Sequence, residues 1–108
     1  MPFINPKETF KKQLAPGETT NVAWGDKLML SVVELEPGSI VPMHSHPHEQ
    51  AGIVLEGEFD LTIGGETKRV REGDMYIIPG GVEHAVVTGK EKAVALDVFH
   101  PNREDYTS

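Results

Sequence analysis

The sequence predicts an all-β fold, an antiparallel sandwich or barrel of short strands. Three observations predict it. Apolar and β-branched runs recur along the 108 residues, several with strict alternation of apolar and polar side chains. Gly (11) and Pro (8) punctuate those runs at short intervals, where turns are required. No stretch carries a sustained helical period, and aromatic residues are only 6% of the chain.

Taken in order, residues 1–20 hold Pro2, Pro6 and Pro16-Gly17 with Lys7, Lys11 and Lys12 between them. They read as an extended lead-in or an edge strand. Residues 28–35 are rich in Leu and Val and stop at the turn signal Pro37-Gly38. Residues 51–55 form a second run that ends at Glu56-Gly57. Phe59, Leu61 and Ile63 alternate with Asp60 and Thr62, the pattern of a half-buried strand. Gly64-Gly65 then fits a tight hairpin into residues 67–71. Met75–Ile78 is a short apolar run closed by Pro79-Gly80-Gly81, and residues 85–88 and 93–99 supply two more strands. Met29, Met43 and Met75 read as core fillers and Trp24 as core or edge packing. Tyr76 and Glu83 acquire no role at this level.

Length and charge bound the function. One domain spanning residues 1–108 is expected, with enough chain for one modest core. The absence of cysteine excludes a disulfide scaffold, a thiolate zinc site, an iron–sulfur cluster and a cysteine nucleophile. A net charge of -7 argues against nucleic acid and against an anionic membrane surface. The N-terminal residues Met1 to Glu8 lack the apolar core of a signal peptide, so a cytoplasmic location is expected.

The chemistry concentrates in histidine. His44-Ser45-His46 places two imidazoles at i and i+2, which on an extended strand share a face; His48 and Gln50 continue the parity, although Pro47 interrupts it. His84 follows Pro79-Gly80-Gly81. Imidazole is the common ligand of zinc, copper, iron and nickel. Spacing alone leaves two readings open, a three-nitrogen metal site and a chance cluster of hydrogen-bonded histidines.

The residues framing the cluster are more specific. Gly38, five residues, His44-Ser45-His46, three residues, Gln50, six residues and Gly57 resemble the first motif of the cupin family. Gln50 stands where that motif usually has Glu. Gly73, five residues, Pro79-Gly80-Gly81, two residues and His84 resemble the second motif, with Thr88 in place of its usual Asn. The resemblance implies a cupin double-stranded β-helix, a jelly-roll barrel over residues 28–100. It implies one divalent transition metal (nickel, zinc, manganese or iron) on His44, His46, Gln50 and His84. His48 or Glu49 is the alternative to Gln50. A neutral amide ligand leaves the metal's charge uncompensated, which favours Lewis-acid chemistry over higher oxidation states.

The ending Asp97-Val98-Phe99-His100-Pro101-Asn102-Arg103-Glu104-Asp105 is similar to that of pectin-degradation cupins, which linearise unsaturated uronates. The resemblance implies a metal-dependent isomerase, with Asp97 and Arg103 catalytic and Phe99 and Arg103 against substrate. Arg103 is alternatively a surface partner of Glu104 or Asp105. Met43, beside His44, is placed to line the pocket. His100 alternates away from Asp97 and Phe99, toward the surface or a dimer contact. The expected partner is a small acidic sugar from pectin or alginate, and open sheet edges lead to a homodimer. Two other functions fit the same motifs: an iron-dependent dioxygenase, and a non-catalytic metal-containing module that binds a small ligand.

Overall fold

The computed structural model describes residues 3–107; Met1 and Pro2, part of the lead-in read above, and Ser108 lie outside the described residues. Ten strands are formed among the described residues: β1 Phe10–Ala15, β2 Glu18–Trp24, β3 Met29–Leu35, β4 Ile40–His44, β5 Glu49–Glu56, β6 Glu58–Ile63, β7 Glu66–Arg71, β8 Met75–Ile78, β9 His84–Thr88 and β10 Ala93–His100. Short 3₁₀ turns at Pro6–Glu8 and Glu104–Tyr106 flank them. The lead-in is more ordered than its composition suggested. Pro16-Gly17 turns β1 back on β2, and β2 pairs along its whole length with β3.

Six strands form one sheet, in the order β1-β2-β3-β10-β5-β8, and four form the other, β4-β9-β6-β7. From β3 onward the chain passes repeatedly between the two. The core lies between them: Val33, Leu35, Val54, Ala93 and Ala95 of the larger sheet are buried against Val41, Phe59, Leu61 and Val70 of the smaller. Strand alternation explains the selection, since the buried residues of β3 and β10 are every second one.

The double-stranded β-helix, or jelly-roll barrel, expected over residues 28–100 is not formed. Each sheet is an open ladder with two free edges, β1 and β8 in one and β4 and β7 in the other, and neither closes or curls on itself. The segments that cross between sheets carry Pro37-Gly38, Pro47, Gly57, Gly73, Pro79-Gly80-Gly81 and Gly89. Proline cannot donate to a ladder, so Pro37, Pro47 and Pro79 break strand pairing at three of the crossings, where isolated loop hydrogen bonds such as that from the Gly81 N–H to the His46 carbonyl take the place of a ladder. Of the expected core methionines only Met29 is buried; Met43 and Met75 are exposed, as is Trp24. No helix among the described residues is long and apolar enough to cross a membrane.

Thr88 accounts for the departure at the second motif. Its buried hydroxyl accepts the Ser39 N–H at 2.7 Å and donates to the Glu36 carbonyl at 2.9 Å, pinning the β3–β4 turn around Pro37-Gly38. The side chain there is structural.

Candidate metal centre

Three histidines converge by three different local devices. Val41 and His44 pair with Val86 and His84 respectively, so β4 spends three residues where β9 spends two. This β-bulge turns His44 to the side that Val41 faces. Strict alternation would have sent Met43 inward and His44 out. Met43 is instead exposed and lines neither of the cavities described below. His84 opens β9 directly opposite His44.

His46 does not share a strand with His44. β4 ends at His44, and His46 sits in the loop before β5, so the i, i+2 parity does not place it. A second loop does. The Gly81 N–H donates to the His46 carbonyl at 2.8 Å, and Gly80 comes so close to Pro47 that a Cβ on it would lie 2.4 Å from the Pro47 carbonyl oxygen. Only glycine allows that approach. The result is a cluster in which ligand atoms of His44, His46 and His84 lie within 4.8 Å of one another.

Tautomers follow from the partners. The Nδ1 atoms of His44, His46 and His84 lie 2.8, 3.0 and 3.0 Å from the carbonyl oxygens of Pro42, His48 and Val82. A carbonyl only accepts, so each Nδ1 carries the proton and each Nε2 presents a lone pair to the cluster. Burial, then the Arg103 and His84 charges, holds the pKa of His46 below the usual histidine value. Burial, then the His44 and Arg103 charges, does the same for His84. Both favour the neutral, ligating form.

Gln50 lies beside the cluster. Its Oε1 lies 3.1 Å from His46 Nε2, while Asp97 engages its amide N–H on the other side. Glu49, the neighbour on β5, is exposed, and His48 is not among the converging groups. The three imidazole nitrogens form a cluster that could hold one metal ion, with the Gln50 amide oxygen beside it.

Asp97, in the middle of β10, is buried beside this cluster and accepts a 2.6 Å hydrogen bond from the Tyr76 hydroxyl. Burial pushes its carboxyl up to about 7, against the lowering effect of hydrogen bonds from Tyr76 and Gln50. Gly52, its cross-strand neighbour, makes the pair possible, since a Cβ there would meet the Asp97 carboxylate at 2.3 Å and the Tyr76 ring at 2.4 Å. Phe99, 1% exposed, stands edge-on to His46 and Tyr106 with ring centroids 5.7 and 5.6 Å away. The Arg103 guanidinium carbon lies 4.0 Å from the centre of the Tyr106 ring and 5.2 Å from that of Phe99.

These groups share one site. A deep cavity of about 50 Å³ is bounded by Gln50, Tyr76, His84, Asp97, Phe99 and Arg103. It adjoins a vestibule of about 340 Å³ lined by Lys12, Glu18, His44, Arg103, Asp105 and Tyr106. Tyr76, Glu18, Tyr106 and Lys12 were not picked out from the sequence. Tyr76 lies in an apolar run with no polar alternation to reveal its face, whereas the inward turn of Glu18 depends on the β1–β2 hairpin. Burial raises the pKa of Glu18, partly opposed by the charges of His44 and Arg103.

Residues 31–99 match the family model described as Cupin domain, a span that includes both histidine motifs. The chain is a cupin. This cupin is similar to the pectin degradation protein KdgF of Dickeya dadantii, with 35% identity over 86 residues that cover 79% of this chain and 78% of the other. Among solved structures it is similar to KdgF from Halomonas sp., with a TM-score of 0.87 and 28% identity over 95% of this chain and 96% of that one. An RmlC-like cupin from Shewanella frigidimarina gives a TM-score of 0.90 at 27% identity, covering 99% and 96% of the two chains.

Proposed function

We propose that this cupin is a metal-dependent isomerase that opens 4,5-unsaturated uronates to linear keto-deoxyuronates. One observation supports this above the others. Two of the three clustered histidines, His44 and His84, border a single cavity with Asp97, Phe99 and Arg103, and the relative at 35% identity is a pectin degradation protein. Pectin and alginate both yield such uronates.

A divalent transition metal (nickel, zinc, manganese or iron) held by His44, His46, Gln50 and His84 would supply Lewis-acid polarisation of a substrate oxygen. The remaining work belongs to the chain. An unsaturated uronate is a cyclic hemiacetal whose ring oxygen belongs to an enol ether. Asp97 takes the proton of the anomeric hydroxyl; the carbon–ring-oxygen bond breaks, leaving an aldehyde and an enolate. Asp97 then returns the proton to carbon 4, and the enolate becomes a ketone. No atom is gained or lost. A carboxyl near pH 7 suits both halves of that transfer. Arg103 orients the substrate carboxylate, and Phe99 keeps His46 and Arg103 in place from behind.

The test is loss of ultraviolet absorbance by an unsaturated monouronate mixed with metal-loaded protein. Fast loss is expected, abolished by a chelator and by Arg103→Ala. Asp97→Asn is expected to lower turnover at least 100-fold while leaving metal content within about twofold. Loss no faster than the spontaneous rate would sink the reading, leaving oxygen-dependent chemistry or simple ligand binding for the same centre.

The protein also pairs, on this reading, with a second copy of itself. Support comes from the outer face of the larger sheet, where Leu30, Leu55, Met75 and Ile77 are exposed and Leu96 and Val98 half-buried. A monomer rarely leaves so continuous an apolar face in water.

A further inference from the structure

Arg103 sits where a carboxylate ligand would be captured, yet its capturing edge is already filled. The Asp105 carboxylate takes a two-point contact, with Nη2 donating to Oδ2 at 2.8 Å and Nε donating to Oδ1 at 3.3 Å. The third donor group, Nη1, is spent on the Tyr106 hydroxyl at 3.0 Å. Lys12, the other cation of the vestibule, donates to the backbone carbonyl of Asp105. One residue therefore engages both cations that face the 340 Å³ vestibule.

The two partners differ in freedom. The Arg103 side chain is 12% exposed and stacked on Tyr106, whereas that of Asp105 is 58% exposed and sits in the short 3₁₀ turn Glu104–Tyr106. Arginine is the fixed half of the pair and aspartate the half that can leave. A planar guanidinium binds carboxylates through this two-point geometry, whether the carboxylate comes from the chain or from a ligand.

We propose that Asp105 is an internal stand-in for the ligand carboxylate, a specificity-determining residue that an incoming carboxylate must displace from Arg103. It rests on the reading that Arg103 receives a carboxylate, but not on any turnover. Asp105 keeps the fork paired and oriented between ligands. It also sets a threshold, because a ligand whose anion cannot make both contacts does not exchange for it. Weak binding of chloride and monodentate anions follows.

The test uses D-galacturonate, a saturated uronate that has no enol ether to open, titrated calorimetrically into the metal-loaded full-length protein. Asp105→Asn keeps the shape and removes the charge, and is expected to bind galacturonate about threefold to fivefold more tightly than the wild type, the scale of releasing one half-exposed ion pair. Asp105→Ala should move in the same direction, and circular dichroism checks that both fold. Unchanged or weaker binding in both variants would overturn the proposal and make Asp105 a support for Arg103. Absence of measurable binding to wild type and variants alike would also overturn it, since a freed Arg103 must take a carboxylate. Failure of the ultraviolet assay alone leaves this titration readable, so the two readings fail separately.

Discussion

At the residue scale the molecule turns on a few groups whose environment, not type, sets their behaviour. Asp97 is an ordinary aspartate placed where ionisation is costly, because β10 carries it into the core beside Tyr76. Its carboxyl, raised to about 7 mainly by burial, makes the metal-free fold bind more protons than the unfolded chain between about pH 4 and pH 7. Stability attributable to Asp97 therefore falls as pH rises through that window. The cost is complete above it, on the order of a few kcal/mol. His46 and His84, with lowered values, act in the opposite direction. The difference in Tm between metal-free wild type and Asp97→Asn isolates the aspartate. That difference should grow in favour of the variant from pH 5 to pH 8, and a constant difference would refute the assignment.

At the element scale the centre is made where two loops dock. The loop after β4 carries His46 and the loop after β8 carries Gly80 and Gly81, and a backbone hydrogen bond joins them. Gly80→Ala puts a methyl group against the Pro47 carbonyl and must push the loops apart. The expected cost is about 1–3 kcal/mol of stability with roughly tenfold weaker metal binding, read by thermal unfolding and by metal titration. Gly65→Ala is the control, because nothing lies within 4 Å of the added carbon. Equal behaviour of the two variants would show that the docking does not position His46.

For the whole molecule the decisive feature is two open sheets around one core, with a wholly apolar strip on the outside of the larger. Leu30, on the β3 side of that strip, is 46% exposed. Leu30→Asp is expected to turn a dimer into a monomer in sedimentation velocity at micromolar concentration, with metal binding retained. A wild type that sediments as a monomer would remove the homodimer from the account.

Much of this was legible in the sequence for a physical reason: the period-2 pattern and the Pro and Gly breaks are local, and they fix strands such as Met75–Ile78 and Glu66–Arg71 to within a residue or so. The histidine motifs were legible too, because a metal needs several donors of one chemical kind and their spacing is written in the chain. The sequence by itself determined an all-β chain, a histidine-rich centre and the residues that frame it. It did not determine what only long-range contact decides. Whether the strands close into a barrel depends on pairing between sheet edges far apart in the chain, and those edges stay open. Whether Met43 or His44 faces inward depends on a bulge defined by its partner strand, since one inserted residue reverses every later face. The environments of Tyr76, Glu18 and Asp105 likewise exist only once β8, the β1–β2 hairpin and the C-terminal turn are packed around the site. Periodicity records which residues share a face locally; the surroundings of each face are settled by folding.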